Sequence, residues 1–262
     1  MIIDFHTHAF PDKLAERALT TIAHPDWPAY LDGKVSSLIA SMDKTGIDLA
    51  VVCPIATRPE HVEGIFRWCL HIRSERIEPL ASVHPEGDDA LDWLKDIAGE
   101  GLKGIKLHPM YQEFKIDSPR MLEIYAAAAE LDLMVLLHCG QDLSWPPEDD
   151  RATPERIDRI LSAVPNATFI ASHMGGWRMW EGVDRLLIGK HCILETSFSL
   201  SELPPQKAVD MMRRHGIDRV VFGSDSPWSD HATEIARAKS LPLTAQEQEK
   251  LLYANAARLL GR

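Results

Sequence analysis

The stretch from Leu102 to His138, LKGIKLHPMYQEFKIDSPRMLEIYAAAAELDLMVLLH, decides how this chain folds. It opens with an apolar run ending at His108 and closes with another ending at His138. Between them, Ser118-Pro119 reads as a helix start, with Ser as N-cap and Pro in the first turn. Met121, Leu122, Tyr125 and Ala129 then recur at helical spacing. Strand, helix and strand in this order imply a right-handed crossover between parallel strands.

Outward from this unit the pattern repeats. Apolar runs rich in β-branched residues cover Ile2 to His8, Ile47 to Cys53, Ile77 to Val83, Leu102 to His108 and Leu133 to His138. Three more cover Ala167 to His173, Cys192 to Thr196 and Arg219 to Asp225. Such near-continuous apolarity is expected of strands buried on both faces of a parallel sheet. Helical patterns lie between them. Val35, Leu38, Ile39 and Met42 share one face, with Gly46 as C-terminal cap. Thr153-Pro154 repeats the Ser-Pro start ahead of Ile157, Ile160, Leu161 and Val164. Thr244 with Glu247 reads as a capping box opening a final helix that carries Leu251, Leu252, Asn255 and Leu259. Eight such units in 262 residues, near the ~250 typical of an eight-fold barrel, predict an α/β fold, a (β/α)8 TIM barrel, as one domain over 1–262. An open doubly wound sheet is the rival, but no G-x-G-x-x-G follows any run, so a dinucleotide fold lacks its fingerprint.

A net charge of −11 argues against a nucleic-acid backbone as partner, because phosphate binding needs an excess of Lys and Arg. Cys53, Cys69, Cys139 and Cys192 form no C-x-x-C pair and read as reduced, buried thiols. No charged leader opens the chain and no apolar run reaches the ~20 residues of a membrane span. The expectation is a cytoplasmic protein with a small-molecule substrate, no membrane or nucleic-acid partner, and a homodimer as the default assembly.

Barrel chemistry gathers where strands end. His6, His8, His84, His108, His138 and His173, out of twelve histidines, lie at the ends of these runs, and Asp225 closes the eighth. In His6-Thr7-His8 the side chains at i and i+2 share a face, so two imidazoles can reach one ion. The bland alternatives are hydrogen-bonded core histidines for His138 and His173, and a helix N-cap for Asp225. Five such coincidences at one rim are less economical than one polar site. Trp27, Trp145, Trp177, Trp180 and Trp228 fall in strand-to-helix segments, where flat rings suit a cyclic ligand, although some can simply pack helices. Arg178 offers bidentate carboxylate contacts or else covers the rim. The long first loop, Ala9 to Lys34, reads as a candidate lid.

The ordered motifs Ile3-Asp4-Phe5-His6-Thr7-His8, Gly104-Ile105-Lys106-Leu107-His108-Pro109, Leu137-His138-Cys139-Gly140, Ser172-His173-Met174-Gly175-Gly176 and Gly223-Ser224-Asp225-Ser226-Pro227 run the length of the chain. With the closing Asn255-Ala256-Ala257-Arg258-Leu259-Leu260, they resemble the amidohydrolase superfamily, and within it the amidohydrolase-related (amidohydrolase 2) family of hydrolases and non-oxidative decarboxylases. The resemblance implies that His6, His8, His138 and Asp225 are ligands of one divalent metal, a single zinc per chain. It implies that His173 is the base beside them and that Asp225 doubles as a proton carrier. Lys106 stays open: a carbamate bridging two metals, a free ammonium near substrate, or a salt-bridge partner. The fourth run has no glutamate, which counts against the TatD-like nucleases.

These readings converge on a metal-dependent hydrolase of a small carboxylate-bearing substrate, such as a lactone or amide. Lys106, His108, Trp145, Arg178 and Trp228 are its candidate substrate contacts. Decarboxylation or hydration of an aromatic or unsaturated acid is the rival, and a non-catalytic ligand-binding barrel is a third reading.

Overall fold

Among the described residues, every residue of the eight strands is buried, which is why these segments carry so few polar positions. In the computed structural model, which describes residues 1–22 and 27–262, the strands are β1 (Ile3–Thr7), β2 (Leu49–Val52), β3 (Ile77–Pro79) and β4 (Gly104–Leu107). They continue with β5 (Met134–Leu137), β6 (Phe169–Ala171), β7 (Ile193–Glu195) and β8 (Val220–Val221). Each lies within the expected run. Full burial of each Val, Leu, Ile or Phe contributes about 1.5–3 kcal/mol, so these short strands hold through their side chains.

The helices alternate with them: α1 (Asp12–Ile22), α2 (Val35–Thr45), α3 (Val62–Ile72), α4 (Ala90–Gly99), α5 (Pro119–Glu130) and α6 (Pro154–Ala163). After them come α7 (Trp180–Leu186), α8 (Pro205–His215), α9 (His231–Ser240), α10 (Ala245–Glu249) and α11 (Asn255–Leu260). Gly46 ends α2 at φ 77° and donates its N–H to Met42, the left-handed cap that favours glycine. Thr244 and Glu247 form the expected capping box. Ser118 and Thr153 stand at their N-cap positions, but neither side chain makes a capping bond; the prolines alone mark those starts. Instead of one continuous helix, a π-helical turn at Lys250–Ala254 separates α10 from α11. It places Asn255 to donate to the carbonyls of Ile217 (2.7 Å) and Val220 (2.8 Å). The candidate lid is not a plain loop, since α1 occupies part of it; its residues 23–26 lie outside the described residues.

The chain forms two compact units. The first comprises Met1–Val52, Arg73–Glu78 and Glu195–Arg262. Within it β1 pairs β2 in parallel, with Ile3 opposite Leu49 and Asp4 opposite Ala50. Ala50 donates to Arg76 on the β3 side, and Phe5 donates to Phe222 just after β8. Thr196, just past β7, donates to Val221. The second unit comprises Cys53–Ile72 and Pro79–Leu194. There β4, β5, β6 and the start of β7 lie side by side in parallel, and Ala81, just after β3, bridges Ile105. Among the described residues, no helix is long and apolar enough to cross a membrane.

Candidate functional site

In the first unit, backbone pairing brings the end of β1 beside the segment after β8. The Asp225 amide donates to His6 (2.8 Å), and the His8 amide donates to Ser226 (2.6 Å). This ladder sets Asp225 against the His6-Thr7-His8 run. Asp225 Oδ1 is 3.0 Å from His8 Nε2 and 3.4 Å from His6 Nε2, and the two Nε2 atoms are 3.2 Å apart. Asp225 is no helix cap, because α9 is capped by Asp230, which accepts from the Thr233 amide. Its backbone sits at φ 69°, a strained value for a non-glycine residue that recurs at functional sites. Trp228 meets the His8 ring edge-on, with centroids 5.0 Å apart.

These three atoms can be tested against a metal. Donors ~2.0–2.2 Å from one ion stand about 2.8–3.6 Å apart at octahedral to tetrahedral angles. The measured separations meet that spacing, and His6, His8 and Asp225 form a group able to hold an ion. His6 Nδ1 lies 2.8 Å from Glu195 Oε2. A carboxylate accepts, so the proton belongs on Nδ1 and Nε2 keeps its lone pair for an ion. The residues fit a divalent cation.

Beneath this group Asp4 is fully buried and accepts from the amides of Ser224 (2.9 Å) and His6 (3.2 Å). Burial first, with the charge of Glu195 after it, pushes its acid up to about 7 despite those bonds. His231 Nε2 lies 3.4 Å from Asp4 Oδ2, and burial pushes this imidazole down to about 4.

The second unit gathers the other expected histidines. His138 follows β5, and its Nε2–H donates to the Gln141 carbonyl at 3.1 Å. Its Nδ1 therefore carries the lone pair and faces His173 Nε2, 3.1 Å away. Burial, then the charges of His108 and His173, hold His138 well below the usual imidazole range. His173 follows β6 at φ 58°, and its carbonyl accepts from Trp180 Nε1. His108 lies flat on His138, with centroids 4.0 Å apart and planes at 20°, and its Nε2 is 3.3 Å from Asp142 Oδ2. Tyr111 meets His108 edge-on, and Trp145 meets Tyr111 the same way. His108, His138 and Asp142 form another group able to hold an ion. Lys106 is buried on β4. Arg178 is exposed and lies 4.0 Å over the Trp177 ring. Gly140 is required where it stands: at φ 88°, a Cβ there would lie 2.2 Å from the Trp177 amide nitrogen.

Glu195, Ser197, Asp4 and Asp142 were not among the residues expected from the sequence. Glu195 had a visible signal, as the one carboxylate within the apolar run Cys192 to Thr196. Asp142 lies one helical turn's spacing beyond His138, but in an irregular segment where no periodicity points to it.

A profile of the amidohydrolase family matches residues 3–262. The chain belongs to the amidohydrolase family. Its members include decarboxylases and hydrolases, and the family is metal-dependent. No curated protein matches the chain. Among solved structures, this amidohydrolase is similar to a TIM-barrel protein, Bb4693, from Bordetella bronchiseptica. The two share 20% identity, with 100% and 99% of the respective chains covered and a TM-score of 0.76. It is similar to a dihydroxybenzoic acid decarboxylase from Polaromonas sp. JS666 with bound manganese and 2-nitroresorcinol (15% identity, 99% and 96% covered, TM-score 0.74). It is also similar to a probable 2-pyrone-4,6-dicarboxylic acid hydrolase from Acinetobacter baumannii (18% identity, 100% and 99% covered, TM-score 0.69). At these identities the likeness carries the fold alone: this amidohydrolase is a (β/α)8 TIM barrel.

Proposed function

We propose that this chain is a metal-dependent hydrolase that opens a small, carboxylate-bearing lactone or amide. The observation that carries the reading is the spacing of His6 Nε2, His8 Nε2 and Asp225 Oδ1, between 3.0 and 3.4 Å. These three would hold the ion, and His138 would be the fourth donor. Zinc is the proposed metal, one per chain. When bound, such an ion polarises a carbonyl and acidifies water from 15.7 towards ~7.

The remaining work falls to the side chains. His173 is the base that takes a proton from the attacking water. Asp225 takes the remaining proton of that water and returns it to the leaving oxygen or nitrogen, while His173 gives its own proton up to solvent. Lys106 and His108 pair with the substrate carboxylate, and the rings of Trp145 and Trp228 stack on a flat substrate. Arg178 is a further carboxylate contact from the rim.

A second reading, decarboxylation of an aromatic acid, is favoured by the dihydroxybenzoic acid decarboxylase among the similar structures. The two reactions differ in their balance. Lactone opening consumes water and releases a proton near neutral pH. Decarboxylation breaks a carbon–carbon bond, releases CO2 and protonates the carbon left behind. Metal-loaded protein should be given 2-pyrone-4,6-dicarboxylate and 2,6-dihydroxybenzoate, with proton release and CO2 followed together. Acid release without CO2 supports hydrolysis; CO2 without ring opening overturns it in favour of decarboxylation.

A further inference from the structure

We infer that Glu195 is a positioning residue that sets metal affinity through His6; this rests on the metal-dependent reading above. Glu195 closes β7 and is fully buried. Its Oε2 accepts from His6 Nδ1 at 2.8 Å and from the Ser197 hydroxyl at 2.7 Å, while Oε1 accepts from the Ser197 amide. Both carboxylate oxygens are thus held by donors on His6 and Ser197, which fixes the carboxylate against the ring. The Ser197 oxygen also lies 3.1 Å from His6 Nδ1, so the carboxylate and hydroxyl both address one ring nitrogen.

The arrangement is built into neighbouring backbone. A Cβ on Gly223 would lie 2.0 Å from Glu195 Oε1 and 2.8 Å from the His6 Cβ. Only glycine leaves space there for a carboxylate against His6. Glu195 is not itself a partner of His8 and Asp225 around the ion. It binds the Nδ1 edge of His6, whereas His8 and Asp225 lie against Nε2, and these two nitrogens point away from each other. Its effect must pass through the imidazole. It fixes the Nδ1–H tautomer, holds the ring plane, and makes Nε2 a stronger donor.

The test is zinc affinity of purified protein, measured by chelator competition on wild type and Glu195→Gln. Wild type should bind about one equivalent, and the variant should bind about 10–100-fold more weakly, as expected when a carboxylate behind a histidine ligand is lost. Equal affinity in the two proteins overturns the inference and leaves the metal reading intact. No zinc or manganese on wild type would instead remove the metal reading itself. A second measurement needs no variant. Nitrogen-15 spectra of metal-free wild type at neutral pH should show His6 protonated on Nδ1, and protonation on Nε2 alone would overturn the inference.

Discussion

His138 Nδ1 and His173 Nε2 face each other at 3.1 Å, with the outer nitrogen of His138 tied to the Gln141 carbonyl. The inner edge of His138 is thereby an acceptor, whatever proton His173 carries. Two imidazoles so placed need not have the same task. If His138 is a ligand and His173 a base, His138→Ala lowers metal content, while His173→Ala keeps metal and loses about 10²–10⁴ in rate. Metal content by plasma mass spectrometry beside turnover separates them. An empty site in His173→Ala would reverse the roles.

His6 and Asp225 are joined twice, through the Asp225 amide on the His6 carbonyl and through their side chains. Alanine at either position leaves the backbone bond and removes one donor. Each variant should retain its fold by circular dichroism while metal content falls well below the wild-type value. Full occupancy in His6→Ala would sink the proposed ligand set.

Acid should strip the metal. Imidazole binds an ion only when neutral, and its ordinary pKa is ~6.5, so protons compete below that value. Burial holds His138 well below its usual range, which weakens that competition and moves release further into acid. Occupancy measured after equilibration should fall as pH drops from ~6 towards ~4. Constant occupancy down to pH ~4 contradicts histidine ligation.

Far from this chemistry, Glu247 accepts from the Thr244 amide at 2.8 Å and from Arg213 at 2.8 and 2.9 Å. The Arg213 guanidinium first, and the Thr244 amide after it, hold its carboxyl at about 2, below the ordinary 4.5. A depressed carboxyl contributes stability above its unfolded pKa and loses it as pH falls through the folded value. Glu247→Gln should therefore be less stable than wild type by about 0.5–1 kcal/mol near neutrality. Denaturant titrations should show that difference shrinking between pH 4.5 and pH 2. A difference that grows in acid would contradict the capping role.

What was legible in the sequence follows from what sets each feature. Strand positions were legible because buried parallel strands are apolar almost without break, as in Val135-Leu136-Leu137. Gly46 and the Thr244–Glu247 box were legible because their chemistry is local. The pairing of Glu195 with His6 was not, since it spans 189 positions and depends on space left by Gly223. The π turn before Asn255 was not legible either. It serves two carbonyls, those of Ile217 and Val220, that lie far back along the chain.

Lys106 offers the sharpest remaining choice. It is buried on β4, where a carbamate would bridge two ions and a free ammonium would meet a substrate carboxylate. The Ser82 hydroxyl donates to the Lys106 carbonyl at 2.9 Å, and the Lys106 amide donates to Ala81. The backbone is held on both sides, so a side-chain change should leave the strand in place. The free-ammonium reading predicts about one metal per chain and an intact mass without a carbamate adduct. Lys106→Met should then keep that metal and raise KM for a carboxylate substrate by at least ~10-fold, with a smaller change in kcat. Two metals per chain in wild type, falling on Lys106→Met, would instead assign the lysine to a bridge between ions.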